Sequence, residues 1–140
     1  MLRSVLLVLA VAAALACGAS NGLDADVTSE GTVTVLDSLA PFDSWIAFPA
    51  DMRILKNVDV TTKPASRFLG VIMPISLDES VALVKRGLTT NGFRINPKLS
   101  VRSTSERTVG RGYSRGEYSL IVIVTSDPEG SFLTLRLFKH

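Results

Sequence analysis

The sequence predicts an α+β fold, a two-layer sandwich in which a single amphipathic helix packs on a mostly antiparallel sheet of about four to five strands in β-α-β-β-β order. Three observations carry this prediction. One segment has apolar residues at helical spacing, several shorter segments have the composition of strands, and a turn rich in proline and glycine joins the last two of these. The chain has 140 residues, of which 46% are hydrophobic and 20% charged, so one globular domain is expected.

The first part of this domain gives the weakest pattern. Residues 31–39 contain a short β-branched alternation and are a candidate strand, whereas residues 40–57 mix large apolar side chains with prolines and yield no assignment. Trp45 and its neighbours Phe42, Ile46 and Phe48 are interpreted as core, with an exposed patch for a partner as the alternative.

The middle of the chain gives the clearest elements. Residues 68–73, FLGVIM, form a short apolar run that predicts a strand ending at Pro74, which has no amide hydrogen for a ladder. Ser76 and Glu79 have the spacing of a capping box, so a helix begins there. Its apolar stripe is spaced by three and four residues, and Asn91-Gly92 supplies the stop. The stripe consists of Leu77, Val81, Val84 and Leu88.

Three further strands are predicted after the helix. Residues 94–103 are predicted to form a half-exposed strand. One side carries Ile95, Leu99, Val101 and Ser103, and the other carries Arg94, Lys98 and Arg102. Residues 118–125, YSLIVIVT, are apolar on both faces and are expected to be central in the sheet. Residues 132–138 form the last strand, and the turn at residues 126–130 makes these two strands a hairpin.

The first sixteen residues have the layout of an export signal. A basic start at Arg3 precedes an almost wholly apolar run over residues 4–15, which is shorter than the roughly 20 residues that span a bilayer. We therefore divide the chain into a signal peptide at 1–16, a flexible tether at 17–30 and one α+β domain at 31–140. Cys17 is the only cysteine, so the domain contains no internal disulfide.

Leu15-Ala16-Cys17 at the end of the apolar run, followed by a tether-like GASNG, resembles a bacterial lipoprotein signal peptide. The resemblance covers residues 1–22 only, and Ala14 stands where such signals usually have leucine. It implies that Cys17 becomes the acylated first residue and anchors the protein to a membrane, with Gly18 directing it to the outer one. The alternative is ordinary cleavage after Ala16 or Ala19, which gives a secreted or periplasmic protein.

Charge is unevenly distributed along the chain. Residues 17–51 contain six acidic residues and no lysine or arginine, whereas residues 52–140 contain fourteen basic and seven acidic residues. The basic residues concentrate between positions 94 and 115 and predict a positive strand-and-loop surface for phosphate or carboxylate groups, with a solvated strand face as the alternative. A third reading is that the acidic segment folds over this surface. The candidate binding residues are Arg94, Lys98, Arg102, Arg107, Arg111, Tyr113 and Arg115.

No catalytic or metal-binding constellation is recognisable. Gly18 to Gly22 matches G-x-S-x-G but lacks a preceding strand, and the only histidine is His140. One cysteine and one histidine do not make a zinc or copper site, so we predict no metal, no cofactor and no catalytic residue.

The predicted function is therefore non-catalytic. We expect an exported cell-envelope lipoprotein, or a secreted binding or accessory module, whose partners are a membrane through the lipid anchor and an anionic envelope component or a protein. Nucleic acid is not expected as a partner, because an exported chain does not meet it. The alternatives are a secreted inhibitor or interaction protein that uses Trp45 or the segment 107–115, and, less favoured, a hydrolase.

Overall fold

The structure, a computed structural model, describes residues 32–61, 64–99 and 105–140. In chain order its elements are β1 (Val33–Val35), α1 (Phe42–Trp45), β2 (Arg53–Val60), β3 (Ser66–Met73), α2 (Leu77–Thr90), β4 (Arg94–Ile95), β5 (Thr108–Arg115), β6 (Tyr118–Asp127) and β7 (Gly130–Lys139). The predicted signal peptide, the tether, Cys17 and Arg102 lie outside the described residues.

The strands form one sheet of seven strands in the order β1-β2-β3-β7-β6-β5-β4. Every pair of neighbouring strands is antiparallel. The first three strands follow one another as neighbours, α2 then carries the chain to the opposite edge, and the last four strands return so that β7 pairs with β3. As expected from its apolar composition, β6 is an interior strand.

The predicted fold class is wrong. We expected a single helix on four to five strands, but the fold is dominated by a seven-stranded sheet, and the described residues contain two helices. The miscount has local causes. Strand β2 contains a bulge between Ile54 and Lys56 that breaks the alternation. The segment rich in glycine before residue 118, for which no strand was predicted, forms strand β5.

The predicted helix is confirmed as α2. Ser76 Oγ accepts a hydrogen bond from the Glu79 amide at 3.2 Å, and Ser76 Oγ also lies 3.0 Å from Glu79 Oε1. The first contact satisfies an amide that the first turn leaves free, and in the second the Ser76 hydroxyl donates to the Glu79 carboxylate. Together they fix where the helix begins. At the other end Gly92 has φ +85°, the left-handed conformation that suits a glycine after the last turn.

The core lies between α2 and one face of the sheet, which we call the helix face. Val84 and Leu88 of α2 pack there with Phe42 and Trp45 of α1 and with Phe93. The sheet contributes alternate residues of its three central strands, which is the pattern of a strand with one face toward a core. These residues are Leu69, Val71, Met73, Leu120, Val122, Val124, Leu133, Leu135 and Leu137.

Candidate functional site

The other face of the sheet, which we call the open face, is also apolar. Residues directly opposite each other in a ladder share a face, and successive residues of a strand point to opposite faces. The pairs Ile72–Phe132 and Ile123–Thr134 alternate with core residues along their strands, so they point to the open face. None of the side chains on this face belongs to the core cluster, so neither described helix covers it. Its central members are Phe68, Ile72, Ile121, Ile123, Phe132, Thr134, Arg136 and Phe138.

Phenylalanine rings form the centre of the open face. A Cβ atom placed on Gly70 would lie 3.4 Å from the Phe132 ring and 3.5 Å from the Phe68 ring, so both rings lean over this glycine. Ile72 beside them is only 7% exposed, whereas Phe68, Phe132 and Phe138 remain partly exposed. The open face therefore presents partly exposed phenylalanine rings to solvent beside the buried side chain of Ile72.

Two cations lie over these rings. The ammonium nitrogen of Lys56 is 5.7 Å from the ring centroid of Phe68, and the guanidinium carbon of Arg136 is 5.0 Å from that of Phe138. Arg136 Nε also donates to Ser66 Oγ at 3.3 Å. Within the described ranges neither cation has a carboxylate within ion-pair distance. Among the described residues, each positive charge is thus held against an aromatic ring and has no carboxylate partner.

A shallow hollow of about 150 Å³ lies between these two cations. It is lined almost entirely by apolar side chains, with the cations at its rim. The lining residues are Val33, Lys56, Val58, Val60, Phe68 and Arg136. A hollow of this size is smaller than the few hundred cubic ångströms typical of small-molecule sites, so it admits a short apolar group next to an anion.

The structure divides the predicted basic surface between the two faces. Arg111 is opposite Val122 and points to the helix face, whereas Arg94 is opposite Ser114 and points to the open face. Lys98 lies in the turn after β4, and Arg107 lies just before β5. All four of these residues are exposed. They do not gather around one pocket.

Arg115 and Tyr113 are taken up by packing. The Arg115 guanidinium carbon lies 4.7 Å from the Phe93 ring centroid and 5.1 Å from that of Trp45, and Nη1 donates to the Asn91 carbonyl at 2.9 Å. Tyr113 is 2% exposed. Burial raises the pKa of the Tyr113 phenol, and the positive charge of nearby Arg111 opposes part of this increase.

Arg67 is the most buried cation among the described residues. Its guanidinium donates to the carbonyl oxygens of Ser38, Val58 and Phe68, and its Nε lies 3.6 Å from Asp59 Oδ1. Burial lowers the pKa of Arg67, and the nearby acids Asp59 and Asp43 oppose that shift. It borders a pocket at the start of β3. Because both of its Nη atoms donate to backbone carbonyl oxygens and only the buried Nε lacks a hydrogen-bond partner, we assign it a structural role.

A groove between the two helices is a third depression. The groove consists of two adjoining depressions, and both are lined by Ala47, Leu83 and Arg86. Arg86 and Asp43 border it with opposite charges. Because its charges are mixed, the groove has no clear preference for one class of ligand.

Sequence reasoning missed the open face as a site. The signal was present, since residues 68–73 and 118–125 are apolar at successive positions and such strands have two apolar faces. The sequence did not indicate that Lys56 and Arg136 lie near each other. Their strands, β2 and β7, are far apart in the chain and become close only because both pair with β3.

Two classes of feature are lacking in the described part of the chain. In residues 32–61, 64–99 and 105–140 there is no group of three or more side chains that could hold a metal ion. Within the same ranges no helix has the length and apolarity needed to cross a membrane.

No family model, curated protein or solved structure matches this chain.

Proposed function

We propose that the chain is an exported cell-envelope module that binds an anionic partner through the open face and does not catalyse a reaction. Export and anchoring rest on the basic start, the short apolar run and Cys17. The observation that carries binding is a sheet face with an apolar centre that neither described helix covers, with two cations that have no carboxylate partner among the described residues.

The physical reason is that exposure of a contiguous apolar face to water is unfavourable, and contact with a partner removes that exposure. Contiguous exposed apolar surface on a protein usually marks an interaction site, and cations held at its rim select an anionic partner over a neutral one. The exposed arginines of the predicted basic surface, Arg94, Arg107 and Arg111, add to the positive field without sharing a pocket.

Export and anchoring are tested together. Cells that express the chain are supplied with radiolabelled fatty acid, and the protein is recovered from membrane and soluble fractions. Incorporation of label that is lost in Cys17→Ala is the expected result. A protein whose N-terminus begins after Ala16 or Ala19 and carries no label would show that it is released, and an uncleaved chain in the cytoplasm would overturn the proposal.

A second candidate is an interaction protein that uses a sheet edge. Ile54 and Leu55, at the bulge of β2, are 45% and 50% exposed and lie beyond the three residues with which β1 pairs. This replaces the version in which Trp45 makes the contact, because Trp45 is 8% exposed and belongs to the core. Loss of a co-purified partner in Ile54→Ser/Leu55→Ser, with Ile95→Ser as an equally exposed control, would favour this candidate.

A further inference from the structure

We propose that the anionic partner of the open face is a lipid bilayer that contains anionic headgroups. This inference rests on the proposed function and names the partner of the same face. It follows from the order of the groups on the face, from their charge, and from the length of chain between the anchor and the sheet.

The arrangement of apolar rings with cations beside them matches the arrangement of hydrocarbon and phosphate at a lipid interface. Phe68, Phe132 and Phe138 offer partly exposed rings, and the cationic ends of Lys56 and Arg136 lie over two of these rings. Long cationic side chains at a membrane place their stems along apolar surface and extend their charges to the phosphates. A bilayer supplies hydrocarbon and phosphate side by side over an area as wide as the sheet face.

Charge argues against a second copy as the occupant. Two open faces packed together would bury Lys56 and Arg136 of both copies, and the central residues of the face include no carboxylate to pair with them. Burial of an unpaired charge is strongly unfavourable. An anionic surface removes this obstacle, because it supplies the missing counter-charges.

Shape argues against an enclosed small ligand. The hollow between the cations measures about 150 Å³, whereas pockets for drug-sized molecules usually measure about 300–1,000 Å³. It accepts the end of one apolar group, while the rings around it contact a surface.

The anchor permits this contact. Cys17 and Thr32, the residue before β1, are separated by a segment whose fully extended length is at most about 50 Å. Val33 of β1 lines the hollow, so the tether joins the sheet beside the proposed contact. Two or more acyl chains hold a protein stably at a bilayer, so an acylated Cys17 would keep the open face within reach of the lipid headgroups.

The test uses the processed protein recovered after export, with a fluorophore on a single introduced cysteine. Thr134→Cys places the label on the open face, and Ala82→Cys places it on the exposed side of α2. If Cys17 carries lipid its thiol is blocked; if the chain is cut after Ala16, Cys17→Ser is added. The label is challenged with vesicles that contain brominated phosphatidylglycerol, and with brominated phosphatidylcholine vesicles as the uncharged control.

The expected result is strong quenching at position 134 and little at position 82, only with the anionic vesicles. Each positive charge near an anionic surface strengthens binding about fivefold. Without lipid on Cys17, Lys56→Gln/Arg136→Gln should therefore raise the lipid concentration for half-maximal quenching by roughly twenty- to thirty-fold. With lipid on Cys17 the vesicles retain every variant, and the same change should instead lower the quenching at position 134. Lys85→Gln/Arg86→Gln on α2 makes the same change in net charge and should have little effect, and circular dichroism verifies that each variant is folded.

Three outcomes overturn the inference: equal quenching at both positions, no quenching with anionic vesicles, or self-quenching at position 134 without lipid, which would assign the face to a second copy. Failure of the proposed export is distinguishable, because it appears as a missing fatty-acid label or an uncleaved N-terminus, whereas the vesicle measurement reports the face itself.

Discussion

The guanidinium carbon of Arg115 lies 5.1 Å from the ring centroid of Trp45. The same guanidinium is 4.7 Å from the ring of Phe93, and it donates to the Asn91 carbonyl at the end of α2. Trp45 and Phe93 are themselves in edge contact, with centroids 4.7 Å apart. One cation from β5 thus joins α1, the end of α2 and the start of β4, so this arginine stabilises the layer of helices on the sheet.

Replacement of Arg115 should therefore be costly. Arg115→Gln removes the cation–π contacts and the bond to Asn91, and we expect the free energy of unfolding to fall by about 1–3 kcal/mol. Arg111→Gln is the matched control, because Arg111 is exposed on the same strand, and it should change stability by less than about 0.5 kcal/mol. Urea denaturation followed by Trp45 fluorescence measures both, and equal effects of the two variants would contradict the assignment.

A buried pair of hydroxyl groups provides a second test. Ser80 of α2 and Ser131 of β7 are fully buried and hydrogen-bonded to each other. Ser80→Ala leaves the Ser131 hydroxyl without this partner, at a cost of about 1–2 kcal/mol. Ser80→Ala/Ser131→Ala removes both groups and should cost less than the sum of the single changes, by about 1 kcal/mol in a double-mutant cycle. Strict additivity would show that the pair is not coupled.

Ionisation of the Tyr113 phenol should make the free energy of unfolding depend on pH in the alkaline range. Burial raises the pKa of its phenol in the folded state above the unfolded value of about 10. Between these two pKa values the unfolded chain has released the proton and the folded chain retains it, so stability is complete below about pH 10 and falls as the pH rises further. Tyr113→Phe should reduce this alkaline loss. The measurement is the free energy of unfolding from pH 8 to 11, and parallel curves for the two proteins would refute the prediction.

Only elements with local signals could be predicted from the sequence. The α2 start was predictable because Ser76 and Glu79 make its cap within one turn, and the β6–β7 hairpin because its turn residues are adjacent. Helix α1 has four residues, Phe42–Trp45, which is too short for a periodic pattern. Of the predicted strand over 94–103, the structure forms only Arg94–Ile95, because the chain turns at Asn96, whose side chain accepts from the Lys98 amide at 3.0 Å. Residues 100–103 lie outside the described residues.

The site was less predictable than the fold because contacts between distant residues create it. Lys56 and Arg136 are 80 positions apart in the chain, and both meet β3 residues on the open face, as the pairs Lys56–Gly70 and Phe68–Arg136 show. The glycines of β5 misled for the same reason. A Cβ on Gly112 would lie 2.3 Å from the Leu99 Cβ, so this glycine allows a close approach within a strand although it has the appearance of a loop residue.

For Gly87, in the interior of α2, helix propensity and packing predict stability changes of opposite sign on replacement by alanine. On helix propensity alone, Gly87→Ala should stabilise the protein by up to about 1 kcal/mol. In the structure a Cβ at this position would lie 2.2 Å from the Trp45 carbonyl oxygen and 3.3 Å from the Ile46 Cα. Because both neighbours are backbone atoms, they yield only if α1 moves, so we expect a loss of about 1–3 kcal/mol instead.

The control for this change is Ala82→Gly, at an exposed position of the same helix, which should cost about 1 kcal/mol through propensity alone. If packing dominates at Gly87, both variants lower the urea midpoint, and Gly87→Ala also shifts the emission of Trp45, whose carbonyl must move. If Gly87→Ala raised the midpoint while Ala82→Gly lowered it, the close approach of α1 to α2 would be wrong. The helix layer would then pack on the sheet differently from the arrangement that the Arg115 contacts describe.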